Sequence, residues 1–215
     1  MRIQLEKMMS PKPEPTSDQV ASSIAHALKI FKDQGLDETP LIKKVSTPFG
    51  RILFDVKGCS LACWKNNGKP ELNTEYAEAS KGICLLGTVG VGKTLAMQVV
   101  AGTIHGWYVT VPELSTVFSQ KGADGFWNMV DRAGRWDLFL DDLGSEKEVK
   151  SYSNKLPIED LIYRRYNMWQ RHGVRTHITT NLTSAQITER YGARVTDRLK
   201  EMMVFVVETG KSLRK

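Results

Sequence analysis

The run GTVGVGKT, from Gly87 to Thr94, follows the apolar stretch ICLL directly and constrains this chain more than any other feature. It matches the pattern G-x-x-x-x-G-K-[ST] at every fixed position. Gly87, Gly90 and Gly92 let the backbone bend, so that the N–H groups of the loop, those of Thr88, Val89 and Val91 among them, converge on one anion-sized hollow. That hollow lies at the positive end of a helix expected to begin near Lys93. Lys93 is placed to reach the β and γ phosphates of ATP, and the Thr94 hydroxyl to ligate Mg²⁺. All eight residues are expected to hold the nucleotide.

The surrounding pattern gives this loop a sheet to sit on. From about Glu75 onward, apolar strands and helical periodicities alternate, which marks an α/β domain with a parallel sheet. The strand candidates are Ile83 to Leu86, Trp107 to Val111, Leu138 to Leu140, Thr176 to Thr180, and Met203 to Val207. A five-stranded parallel sheet flanked by helices over residues 75–215 is therefore expected, preceded by a smaller N-terminal extension over residues 1–74.

Two further segments carry chemistry. In WDLFLDDLG, Trp136 to Gly144, an apolar strand delivers Asp141 and Asp142 to the carboxyl end of the sheet, where ligands of open α/β folds bind. Asp141 is the expected Mg²⁺ partner, and Asp142 is the candidate for polarising the attacking water. Asn181 ends the run RTHITTN. Its amide can donate to a γ-phosphate or a nucleophilic water and accept from it without adding charge, although asparagine is also a common turn residue. In TERYGARVTDRLK, Arg190, Arg194 and Arg198 recur at spacings of four, as on one helical face, and carry too much charge for a buried one. They are expected to meet solvent, acids or phosphate.

In this order the elements resemble an AAA+ ATPase, and more narrowly the bacterial helicase-loader (DnaC-type) and insertion-sequence (IstB-type) transposition ATPases. The resemblance runs from about Lys81 to Lys215 and rests on KGICLLGTVGVGKT, the Asp-Asp-Leu-Gly segment, the Arg165-Tyr166 pair, TTNL, YGARVTDRL and the terminal GKSLR. It implies that Asn181 is the γ-phosphate sensor and Arg198 an arginine finger, with Arg194 the nearby alternative. It implies a sheet in which the Asn181 strand lies between the phosphate-loop strand and the Asp141 strand. Many ATPases of this kind have Glu where this chain has Asp142. The chain stops soon after its fifth strand, so the helical lid that most AAA+ proteins carry is not expected. The activity implied is ATP hydrolysis in DNA replication, as a helicase-loader-like factor that forms a homo-oligomer with ATP and has a replicative helicase or another DNA-processing protein as partner. A transposition-type ATPase that oligomerises on DNA would use the same site. A small-molecule kinase would also use a phosphate loop, but the paired acids, Asn181 and Arg198 argue against it.

The rest of the chain bounds this reading. The formal net charge is +6, and the excess sits in the last quarter: residues 164–215 hold 11 Lys/Arg against 4 Asp/Glu. A basic surface of that kind can attract single-stranded or duplex DNA through phosphate contacts. No apolar run approaches transmembrane length and no signal peptide is visible, so a cytoplasmic protein with reduced thiols is expected. Of the three cysteines, Cys59 and Cys63 are close in sequence. The four histidines, His26, His105, His172 and His177, show no metal-site spacing, so no structural zinc is expected. Cys84 reads as a small buried hydrophobe. Before residue 75, SPKPEPTS reads as an extended linker, residues 18–34 as an amphipathic helix, FGRILFDVKG as a strand, NNGKP as a turn, and Trp64 as a plug over a small core.

Overall fold

The computed structural model describes residues 81–103, 106–146 and 157–212, with short stretches before them at 25, 29, 32–33, 42–46, 52–56, 59–60, 64–65 and 69–70. In the early stretches β1 (Ile42–Ser46), β2 (Ile52–Val56) and β3 (Cys59–Ser60) pair antiparallel, and β4 (Trp64–Lys65) pairs antiparallel with β5 (Lys69–Pro70). The strand expected in FGRILFDVKG is β2. Residues 25, 29, 32 and 33 are helical, within the helix expected over 18–34. The rest of that helix, the proline-rich linker, the NNG segment, Cys63 and the side chains of Cys59 and Trp64 lie outside the described residues.

From Gly82 the chain alternates as its periodicity requires. The order is β6 (Gly82–Gly87), α1 (Lys93–Thr103), β7 (Gly106–Thr110), α2 (Val111–Ala133), β8 (Asp137–Leu143), α3 (Ile158–His172), β9 (Thr176–Thr180), α4 (Ser184–Tyr191), α5 (Ala193–Met202) and β10 (Met203–Glu208). The strands form one sheet in the order β10-β6-β9-β8-β7, with every pairing parallel. β9 therefore lies between β6 and β8, as the resemblance implies. No helix among the described residues is long and apolar enough to cross a membrane.

Alternate side chains of a strand point to opposite faces, and the inner strands are apolar at both parities because both faces are covered. On one face Ile83 and Leu85 of β6 and Phe139 of β8 pack with Ala96, Met97, Val99 and Val100 of α1. On the other, Cys84, Leu86, Leu138, Leu140 and Ile178 pack with residues of α2, α3 and α5. Each fully buried leucine contributes about 1.5–3 kcal/mol. Cys84 has no exposed surface, and burial pushes its thiol up to about 12.

Local signals set the helix ends. Thr110 and Glu113 form a reciprocal capping box before α2, and Thr183 and Gln186 form another before α4. Each satisfies two amides that the first turn would leave unpaired. Gly192, at φ 87, separates α4 from α5. This corrects the expectation that Arg190, Arg194 and Arg198 share one helical face, because Arg190 belongs to a different helix from the other two. The periodicity survives in sequence, but the left-handed backbone at Gly192 turns the chain between them.

One buried cation ties the sheet together. Arg165 of α3 is 3% exposed, with Nε donating to Thr176 Oγ1 at 2.9 Å and Nη2 donating to Trp136 O at 3.0 Å and Arg175 O at 2.8 Å. These partners lie where β8 and β9 begin, at the opposite end of the sheet from the glycine loop. Burial pulls its pKa down to about 10.

Candidate functional site

β6 ends at Gly87 and α1 begins at Lys93, so the glycine loop joins a strand end to a helix N-terminus, the place in such a fold where backbone amides can meet an anion. Gly90 has φ 89, and a Cβ there would lie 2.2 Å from Ser212 Oγ; a Cβ at Gly87 would lie 2.3 Å from Glu208 O. The loop therefore packs against the segment that leaves β10, and glycine is required by that approach as well as by the backbone angle. Thr88 and Val89 are exposed, whereas Val91 is buried and anchors the loop.

Lys93 is 7% exposed. Its ammonium donates to Gly87 O and Thr88 O, both at 2.8 Å, and to Asn181 Oδ1 at 2.7 Å. The other end of the same amide, Asn181 Nδ2, donates to Asp142 Oδ1 at 3.1 Å. Only one orientation of the amide satisfies both neighbours, since a cation needs the oxygen and a carboxylate needs the nitrogen. Asn181 thus links the loop lysine to the second acid of β8.

Asp141 is 4% exposed, and both of its carboxylate oxygens accept hydrogen bonds. Oδ1 accepts from Thr94 Oγ1 at 3.2 Å and from Thr179 Oγ1, while Oδ2 accepts from Tyr108 Oη at 2.7 Å. Burial, and then the Asp141 hydrogen bond, push the Tyr108 phenol well above its ordinary pKa, so it stays a donor. The pairing of β8 with β9 shifts register between Leu140 and Leu143, a bulge that places Asp142 at φ 63. Among the described residues Asp142 alone has positive φ without being glycine. The bulge is held by Thr179 Oγ1, which accepts from Asp142 N at 2.9 Å, and by Thr180 Oγ1, which donates to Leu143 O at 2.7 Å. Aspartate tolerates this backbone better than most residues do.

The structure brings Lys93, Thr94, Asp141, Asp142 and Asn181 together at the carboxyl ends of β6, β8 and β9. It places the arginines elsewhere. Arg198 lies 4.4 Å over the Tyr166 ring, with Nη1 3.2 Å from Tyr166 Oη and 3.3 Å from Glu201 Oε1. Arg194 is exposed and lines the same surface groove as Arg198, Lys200 and Tyr163. Arg190 pairs with Glu146, with Nε 3.0 Å from Oε1 and Nη2 2.7 Å from the backbone oxygen. Glu146 also accepts from Gly144 N at 3.1 Å and from the Tyr191 hydroxyl, which ties the turn after β8 to α4. Sequence reasoning did not single out Tyr108, Thr179 or Glu146. The only sequence signal for the first two is a hydroxyl in an apolar strand, and its meaning depends on which strands are neighbours.

The donor set suits a small hard cation: a carboxylate and a hydroxyl, both oxygen, stand side by side in Asp141 and Thr94, beside a loop built to hold phosphate. Among the described residues no cluster of three or more His, Cys, Asp or Glu forms a metal site of its own.

A glycine loop between β6 and α1, with an aspartate pair on β8 and an asparagine just after β9, the strand between them, defines a P-loop nucleotide-binding fold. Among solved structures the chain is similar to the DnaC helicase loader, at 25% identity over 60% of this chain and 78% of that one, with a TM-score of 0.43. It is also similar to DnaI, at 24% identity over 62% and 73% with a TM-score of 0.49. AMPPCP-bound DnaA from Aquifex aeolicus matches at 15% identity over 59% and 40%, with a TM-score of 0.45. No family model and no curated protein matches the chain.

Proposed function

We propose that this chain is an Mg²⁺-dependent ATPase of the AAA+ type that acts in DNA replication as a helicase-loader-like factor. The observation that carries the ATPase reading is the position of Asn181, within hydrogen-bonding distance of both Lys93 and Asp142. One side chain there touches the group that holds the phosphates and the group that handles the water. Lys93 and the loop amides bind and orient the triphosphate, with Asn181 beside the γ-phosphate. Thr94 and Asp141 are the residues that would hold Mg²⁺. That ion, when bound, neutralises charge on the phosphate oxygens. Asp142 accepts a hydrogen bond from water and turns the water's lone pair toward the γ-phosphorus; as that O–P bond forms, the bond from the γ-phosphorus to the ADP oxygen breaks, ADP leaves, and the water's proton has the Asp142 carboxylate within reach. The replication role is supported by the sequence segments that resemble the helicase-loader ATPases.

Two measurements test this. Phosphate release from Mg²⁺-ATP by the purified chain should vanish in Lys93→Ala, along with fluorescent-nucleotide binding, while circular dichroism stays unchanged. Unaltered affinity in that variant would remove the phosphate loop from the site. The host's purified replicative helicase should then associate with the chain in ATP and load onto single-stranded DNA. ATP-dependent assembly on DNA without helicase would favour the transposition-type reading, and phosphate transfer to a small acceptor would favour a kinase.

A further inference from the structure

We infer that Tyr108 and Thr179 act as a pair of positioning residues that fix the Asp141 carboxylate for its metal, one from each strand beside β8. The inference rests on the nucleotide site proposed above and extends it to residues outside the phosphate loop and the acid pair.

The strand order carries the argument. β8 lies between β7 and β9, so a side chain from each neighbour can reach the end of β8 from opposite directions. In this structure both do. Tyr108 of β7 donates to Oδ2 at 2.7 Å and Thr179 of β9 donates to Oδ1. A carboxylate has one soft torsion beyond its χ1, and hydrogen bonds to both oxygens remove that freedom. With Thr94 also donating to Oδ1, the plane of the carboxylate is set before any cation arrives.

Both residues are held for this task. Thr179 is 1% exposed, and its single hydroxyl serves two groups, donating to Asp141 and accepting from Asp142 N at 2.9 Å. One oxygen therefore aligns the carboxylate expected to hold the metal and fixes the bulge that presents the carboxylate expected to orient the water. Serine could reproduce both bonds, but valine, of the same shape, could reproduce neither. Tyr108 reaches Asp141 from a partly buried strand whose last residue, Thr110, pairs with Asp141 in the parallel register. Phenylalanine keeps the ring and loses the hydroxyl, both its donation to Asp141 and its hydrogen bond with Gln98.

Groups that hold a metal ligand from behind typically change metal affinity by about 10–100-fold when removed. The experiment is a fluorescent-ATP titration at fixed nucleotide and increasing Mg²⁺, paired with nucleotide affinity in EDTA, on the wild type, Tyr108→Phe, Thr179→Val and Thr179→Ser. Tyr108→Phe and Thr179→Val should each raise the Mg²⁺ midpoint about tenfold or more, leave the EDTA affinity within about twofold, and be additive or less in combination. Thr179→Ser should restore the wild-type midpoint. A purely structural role would lower the melting temperature and leave the midpoint in place, which overturns the inference. So does a shift in Thr179→Val alone, since the clamp requires both sides. If Thr179→Val does not fold, Tyr108→Phe and Thr179→Ser decide: an unmoved midpoint in the first, or a moved one in the second, refutes it. A wild type that binds no nucleotide with Mg²⁺ sinks the proposed function and this inference together, whereas normal wild-type binding with unshifted variants sinks the clamp alone.

Discussion

Arg165→Met tests whether the buried arginine of α3 is a pin for the sheet rather than part of the chemistry. Methionine keeps much of the aliphatic stem but offers no donor. Three close hydrogen bonds disappear, to Thr176 Oγ1, Trp136 O and Arg175 O. Bonds from a charged donor contribute about 1.5–3 kcal/mol each, and the loss is partly offset because a guanidinium no longer has to be desolvated, so a net destabilisation of about 3 kcal/mol is expected. For a chain of this size that lowers the melting temperature by about 6–12 °C. Thermal unfolding followed by circular dichroism gives the shift, and fluorescent-nucleotide titration of the folded variant gives the affinity. Affinity should stay within about twofold, because Arg165 binds where β8 and β9 begin and the phosphate loop leaves β6 where it ends. An unchanged melting temperature would show that the three bonds add nothing net. A tenfold loss of affinity in the folded variant would put Arg165 in the nucleotide site and refute the reasoning.

Asp142→Asn should keep Mg²⁺-ATP binding and suppress phosphate release, whereas Asp141→Asn should weaken metal-dependent binding; identical behaviour in both assays would refute the division of roles. If Arg198 acts as a finger on a neighbouring copy, it must leave Tyr166 and Glu201, and Arg198→Ala should lower turnover by about 10³–10⁵-fold. Mixing Arg198→Ala with Lys93→Ala should then restore part of the activity, and a fully active Arg198→Ala protein would end that assignment. Cys84 has a thiol raised from 9.0 to about 12 in the folded chain, so the stability it supports is complete below pH 9 and falls as pH rises toward 12. Between about pH 8 and about pH 10 the wild type should lose about 1.4 kcal/mol more than Cys84→Ala in urea unfolding, and equal losses would show that the thiol is not so perturbed.

The elements that were legible in the sequence are those set by local pattern. The phosphate loop is a contiguous motif and β8 is an apolar run that delivers two acids, so Lys93, Thr94, Asp141 and Asp142 stand out locally as candidates, whereas Asn181, an ordinary turn residue taken alone, stands out only through its order after the other elements. What was illegible depends on pairing between distant strands. Nothing local shows that Tyr108 reaches Asp141, or that Thr179 serves both acids, because those contacts follow from the order β7-β8-β9. The arginine series shows the opposite failure: a regular spacing of four continued across Gly192, where the backbone turns. Arg165 was legible only as part of a motif, and its burial gives that motif a structural meaning.

The bulge at Asp142 bears on the length of the acid. Because the extra residue in β8 and the left-handed backbone carry the carboxyl group to Asn181, its reach is set by the main chain more than by the side chain. A glutamate on the same backbone would carry the carboxyl group about 1.5 Å further out. On this backbone the aspartate reaches Asn181 at 3.1 Å, and the extra methylene of glutamate would have to be accommodated by a different side-chain path. Exchanging one acid for the other here alters a distance as well as a side chain, so charge conservation alone is a poor guide to which substitutions this site can accept.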